Sequence, residues 1–180
     1  MAENLRYIPN DATRCYAYMD SIAKYGCYYQ APFETDSTEQ VCPNGWHIST
    51  ETDWDNLIKF VGDSAATKLR SVYGWEHIRW TGLYTTAAKG KNQYGLNIIP
   101  SGCFADPNHL NSLKNKLNKL SKDYSPRVCI AMDVPNDSNQ HYIQAFVDAN
   151  LTTNATDFTK HSLENFSERH RLYSIRCVKD

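Results

Sequence analysis

Six cysteines, Cys15, Cys27, Cys42, Cys103, Cys129 and Cys177, are the residues of this 180-residue chain with the widest range of possible chemistry. Structural zinc sites take two ligands from one turn, and so show close Cys-x-x-Cys or His-x-x-x-His pairs. No such pair occurs in the sequence. The six histidines, His47, His77, His109, His141, His161 and His170, are dispersed, and no two stand at i and i+4 where one helix face would aim both at an ion. No metal site is expected from either set. An even number of cysteines without metal spacing reads instead as disulfides formed in an oxidising compartment.

A hard cation has one candidate loop, Asp133-Val134-Pro135-Asn136-Asp137-Ser138-Asn139, which offers carboxylate and amide oxygens at short intervals as calcium prefers. The same residues make an ordinary solvated turn. That is the plainer reading, so no cofactor is expected. The loop also holds one of four Asn-x-Ser/Thr sequons, at Asn136, Asn150, Asn154 and Asn165, which suggest exposed segments.

Recognition chemistry has a clearer basis in the aromatic residues, of which 12 are tyrosine. Tyr and Trp present rigid amphipathic rings that stack on ligands at low entropic cost. Trp75, Trp80, Tyr84 and Tyr142 are the candidates for exposed rings, with Asn136, Asp137 and Asn139 as polar partners. A core role suits each tryptophan as well. The segments that would carry the ligand run from Trp75 to Lys91 and from Asp133 to Glu168.

Composition removes other partners. A net charge of -1 leaves no excess of Lys and Arg to drive counterion release, so no nucleic-acid partner is expected. The chain lacks an apolar run of the length that spans a bilayer, so no transmembrane segment is expected. The first residues carry Glu3, Arg6, Asp11, Arg14 and Asp20 where a signal peptide would be apolar. An exported protein of this sequence would have its export signal outside the chain.

The elements that must position these residues are a mixture. Tyr16-Ala17-Tyr18 and Tyr25-Gly26-Cys27-Tyr28-Tyr29 read as strand and turn. Thr50 is placed to cap a helix, Asp53 to complete a capping box, and Trp54, Leu57, Ile58 and Val61 fall on one helical face before Gly62. A weaker helix is expected from about Ala65 to Val72, and a buried strand over Tyr94 to Gly102. After Asp106-Pro107 a second main helix is expected, with Leu110, Leu113, Leu117 and Leu120 on one stripe and Lys114, Lys116, Lys119 and Lys122 on the remainder. Such a basic amphipathic helix could lie on an anionic membrane surface, but packing against the domain is the plainer reading. From Val128 onward the pattern is short strands and polar loops, closing on Tyr173-Ser174-Ile175-Arg176-Cys177-Val178.

Four stretches resemble, in order and spacing, the Fibrobacter succinogenes major paralogous domain (FISUMP) family. They are Met1-Ala2-Glu3-Asn4-Leu5 with Tyr7, Ala23-Lys24-Tyr25-Gly26, Cys42-Pro43-Asn44-Gly45-Trp46-His47 with Trp54, and the closing Ser174-Ile175-Arg176-Cys177-Val178-Lys179-Asp180. That family in turn resembles the formylglycine-generating enzyme superfamily, with Thr52-Asp53-Trp54 and the Arg-Cys-Val ending as the shared elements. The resemblance implies an α+β domain of the C-type-lectin-like fold over residues 1–180, with a small antiparallel sheet, two main helices and long irregular loops. Departures fall at Val128-Cys129-Ile130-Ala131, where relatives carry Phe-Trp-Ser-Ser, and at Leu172-Tyr173, where they carry Gly-Phe.

The enzyme branch of that superfamily works through a reactive cysteine pair able to bind copper. Here the last third holds only Cys129 and Cys177, far apart, and no local cysteine motif supplies the basic setting a nucleophilic thiolate needs. Oxidase chemistry is therefore not expected. Lectins of the related fold hold calcium through a Glu-Pro-Asn element, and Val134 stands here where its carboxylate should be. Spacing alone leaves the cysteine pairing open. The family comparison implies Cys42 with Cys177 at motif positions, Cys103 with Cys129 as two departures acquired together, and Cys15 with Cys27 across an early hairpin.

These readings converge on a non-catalytic, extracytoplasmic recognition or adhesion module that binds a glycan or protein at a bacterial surface. The rival roles are a structural or assembly component of an envelope or pilus, and a receptor-binding module with diversified loops.

Overall fold

The computed structural model describes residues 3–7, 15–16, 22–30, 41–75, 77–78, 84–85, 90–101, 127–132, 141–146, 158–162 and 172–180, several of the strands by their backbone alone. In chain order the elements are β1 (Cys15–Tyr16), α1 (Ile22–Tyr25), β2 (Tyr28–Gln30), β3 (Trp46–Ile48), α2 (Glu51–Val61), α3 (Ala65–Leu69), β4 (His77–Ile78), β5 (Tyr84–Thr85), β6 (Arg127–Met132), β7 (His141–Phe146), β8 (Thr159–Ser162), β9 (Leu172–Tyr173) and β10 (Cys177–Lys179). They form an α+β arrangement of small antiparallel sheets, ordered β1-β2-β9, β10-β3, β4-β5 and β6-β7-β8. No described helix is long and apolar enough to cross a membrane.

Two of these sheets join the start of the chain to its end. In the first, Tyr29 of β2 lies opposite Tyr173 of β9 and Gln30 opposite Leu172. In the second, β10 runs antiparallel to β3 with Cys177 opposite Ile48 and Val178 opposite His47. The opening segment adds a backbone bond from Leu5 N–H to the Ile175 carbonyl at 2.8 Å. Gly26 makes that segment fit. Its φ of 78° is left-handed, and a Cβ there would lie 2.7 Å from the Leu5 carbonyl oxygen.

α2 begins where its sequence provides a cap. Thr50 Oγ1 accepts from Asp53 N–H, and the Asp53 carboxylate accepts from Thr50 N–H, satisfying two otherwise unpartnered donors of the first turn. The helix stops at Gly62, whose φ is 72° and whose N–H bonds back to the Ile58 carbonyl. Its inner face buries Trp54 and Val61, with Leu57 and Ile58 partly buried beside them. α3 is shorter than the sequence suggested, ending at Leu69 because Arg70 adopts an extended backbone.

Of the run from Tyr94 to Gly102, the described residues 94–101 do not form the regular strand that the apolar run suggested. Asn92 at φ 45° and Asn97 at φ 50° take left-handed conformations, and Asn92 Oδ1 accepts from Asn97 N–H at 2.8 Å, curling the chain into a loop. Among the described residues of the run, only Ile98 pairs like a strand residue, in an isolated parallel bridge to Arg70. It is nonetheless fully buried, as the run suggested. α1 was not foreseen, since Tyr25 and its neighbours read as strand and turn. The second main helix expected after Asp106-Pro107 lies outside the described residues.

The apolar interior forms two clusters. One gathers Leu5, Cys27, Tyr29, Cys42, Ile48, Tyr173, Ile175 and Cys177 between the joined chain ends. The other gathers Trp54, Val61, Ala65, Leu69, Trp75, Ile98, Ile130 and Met132 around α2 and α3. Trp54 belongs to the second, its ring 5.5 Å from that of Phe158 and its indole N–H donated to Ser49 Oγ at 3.0 Å.

Candidate functional site

The family-like motifs of the two chain ends come together at three points. The first is covalent: Cys42 and Cys177 form a disulfide across a sequence separation of 135, with Cα atoms 5.8 Å apart. This is the pairing the family comparison implied. Cys27 is also disulfide-bonded. The proposed pairs of Cys27 with Cys15 and of Cys103 with Cys129 depend on side chains outside the described residues.

The second point is a buried polar node. Arg176 is 2% exposed, and its guanidinium donates from Nε to Asn4 Oδ1 at 3.0 Å, from Nη1 to the Leu96 carbonyl at 2.6 Å and from Nη2 to the Asn97 carbonyl at 3.3 Å. Asn4 uses its Nδ2 to reach the Tyr25 carbonyl at 2.9 Å, Ser101 Oγ at 3.4 Å and Ser174 Oγ at 3.3 Å. Tyr28 closes the node by donating its hydroxyl to the Ser101 carbonyl at 2.5 Å. Burial lowers the Arg176 pKa to about 10, with Glu3 opposing the shift, and raises that of the Tyr28 hydroxyl. Both groups are therefore fixed in form near neutral pH, Arg176 as a cation and Tyr28 as a neutral donor. The node is suited to holding segments in register.

The third point lies at the surface. His47, which ends the Cys-Pro-Asn-Gly-Trp-His motif, places Nδ1 2.7 Å from Asp180 Oδ1 and Nε2 3.1 Å from Asp53 Oδ2. The contacts with Asp180 and then Asp53 raise the imidazole pKa above its ordinary value. Burial would raise the Asp53 carboxyl, but the Thr50 hydroxyl and amide, followed by His47, hold it below its ordinary value. The two ring nitrogens face opposite partners, so the three side chains do not converge on one ligand position.

Among the residues expected to bind ligand, Trp75 is a correction. It is fully buried, with its indole N–H shared between Ser71 Oγ at 3.1 Å and the Ile98 carbonyl at 2.9 Å. The ring serves the core and the underside of Arg70, whose guanidinium carbon sits 5.1 Å from its centroid. Arg70 is 3% exposed, donates from Nη2 to Thr67 Oγ1 at 3.1 Å, and leaves Nε buried without a hydrogen-bond acceptor. Burial lowers its pKa to about 10.

Tyr84 lies in β5 opposite Ile78, and Tyr142 in β7 opposite Ala131 and His161; their side chains are not among those described. Trp80, Asn136, Asp137 and Asn139 lie outside the described residues. β6 and β7 pair antiparallel, with Met132 opposite His141. Among the described residues no group of three His, Cys, Asp or Glu could hold a metal ion.

Reading the sequence for ligand chemistry missed Asn4, Ser101 and Ser174, whose function is mutual. Their signal was local: Ser174 and Arg176 alternate with Tyr173, Ile175 and Cys177, a strand pattern in which the polar residues are buried too. Polar residues at such positions need partners, and here each finds one on another motif.

The geometry defines an α+β domain whose opening and closing segments are fastened to each other by a disulfide, a buried arginine node and a surface histidine. The motifs that make these fastenings are those of one family, and the chain belongs to it: the model of the Fibrobacter succinogenes major domain matches residues 1–179. Comparison with curated proteins and with solved structures found no match to this chain.

Proposed function

We propose that the protein is a non-catalytic recognition module of C-type-lectin-like architecture, acting outside the cytoplasm and taking a glycan or protein ligand. The observation that carries this reading is the fastening of the chain ends, above all the Cys42–Cys177 disulfide with the Arg176–Asn4 hydrogen bond. A frame closed in this way holds still while the segments between its strands vary, which is how binding loops are commonly supported. A disulfide in the frame suits an oxidising compartment. The mixture of short antiparallel sheets with one long described helix is compatible with the C-type-lectin-like fold.

In this reading the ligand is held by Trp80, Tyr84 and Tyr142 with Asn136, Asp137 and Asn139, while Trp75 supports them from the core. A glycan array probed with the purified chain, run beside a pull-down from bacterial envelope extract, tests it. Glycan hits weakened by Trp80→Ala or Tyr142→Ala support recognition through these segments. Capture of one envelope protein that requires no such residue would favour an assembly role, and turnover of a cysteine-containing peptide with oxygen uptake would overturn the non-catalytic reading.

A further inference from the structure

We propose that His47 is a pH-responsive latch, closed when protonated, between the last residues of the chain and the first turn of α2. The geometry carries the argument. An imidazole that faces a carboxylate oxygen from each ring nitrogen can donate to both only as the imidazolium, because the neutral ring has one N–H. At His47 the two oxygens are Asp180 Oδ1 at 2.7 Å and Asp53 Oδ2 at 3.1 Å. Among the described residues these are the charged groups that contact the ring, one following β10 and one from α2.

The carboxylates are not equivalent. Asp53 Oδ2 also accepts from Thr50 N–H at 2.8 Å and from Thr50 Oγ1 at 2.6 Å, so it keeps partners when His47 loses its proton. Asp180 adds one backbone bond, its N–H to the Gly45 carbonyl at 3.1 Å. A neutral ring that gives its proton to Asp180 turns a lone pair toward Asp53, and one that turns to Asp53 releases Asp180. In both cases the link between α2 and the chain end opens. The Cys42–Cys177 disulfide retains β10, so the opening is confined to the residues beyond it and the helix cap.

The sign follows from the direction of each shift. The His47 pKa is raised in the folded chain, so the latch is fully closed below the ordinary imidazole value of about 6.5 and opens as pH rises through the higher folded value. Asp53 is held below its ordinary value, so its contribution is full above the ordinary carboxylate value of about 4 and is lost as pH falls through the lower folded value.

The experiment follows the His47 Cε1 proton and the Thr50 and Asp180 amide protons by NMR in the full chain, from about pH 5 to about pH 9, a range spanning the ordinary imidazole value. The expected result is a His47 midpoint above about 6.5, lowered by both Asp180→Asn and Asp53→Asn, with the two amides shifting at the same midpoint. In His47→Gln the amide response should vanish. A wild-type midpoint at or below about 6.5, or amides that do not follow it, overturns the latch even if a variant fails to fold.

Discussion

Arg176 Nε donates to Asn4 Oδ1 at 3.0 Å, so the fourth residue of the 180-residue chain and the fifth from its end share a buried hydrogen bond. The guanidinium is charged and almost wholly enclosed, and each of its acceptors offsets part of a large desolvation cost. Asn4→Ala removes the Nε acceptor and the donor to the Tyr25 carbonyl together. It should lower stability by about 1–3 kcal/mol, the cost of leaving buried polar groups unsatisfied. Urea unfolding followed by tryptophan fluorescence measures this, and an unchanged midpoint would remove the node from the frame.

Trp75→Phe separates the core role of this residue from the binding role that the sequence suggested. It keeps most of the apolar volume but removes the indole N–H that Ser71 Oγ and the Ile98 carbonyl accept. Stability should fall by about 1–3 kcal/mol while affinity for any glycan found on the array stays unchanged. Lost affinity at unchanged stability would restore Trp75 to the ligand.

The fold was most legible where local chemistry decides the structure. Thr50, Asp53 and Gly62 carry their own reasons for starting and stopping α2, and the structure uses all three. The loop after Tyr94 misled because apolar content specifies burial but not conformation, and the side chain of Asn92 bends the backbone instead. Trp75 misled for a related reason: one of its two indole acceptors, the Ile98 carbonyl, lies 23 residues away, where no local pattern reveals it. The motif residues Asn4, His47 and Arg176 were visible as elements of a family resemblance. Their contacts were not, because the partners lie on loops, helices and chain segments that only the fold brings near.

Trp54→Ala tests the second apolar cluster. The ring is 3% exposed, packs on Phe158 and bonds Ser49. Its loss should cost about 3–5 kcal/mol through lost burial and a residual cavity. Thermal unfolding measures it, and normal stability would take α2 out of the core.

The central claim is that the two ends of this domain are fastened into a closed frame, and its most direct test is non-reducing peptide mapping of the native protein after alkylation. The expected result is a linked peptide pair containing Cys42 and Cys177, with both sulfurs protected from alkylation, and a loss of roughly 2–4 kcal/mol of stability when that bond is removed. Cys42 linked to any other cysteine, or alkylated as a free thiol in the native protein, would contradict the closed frame and with it the argument for an oxidising compartment.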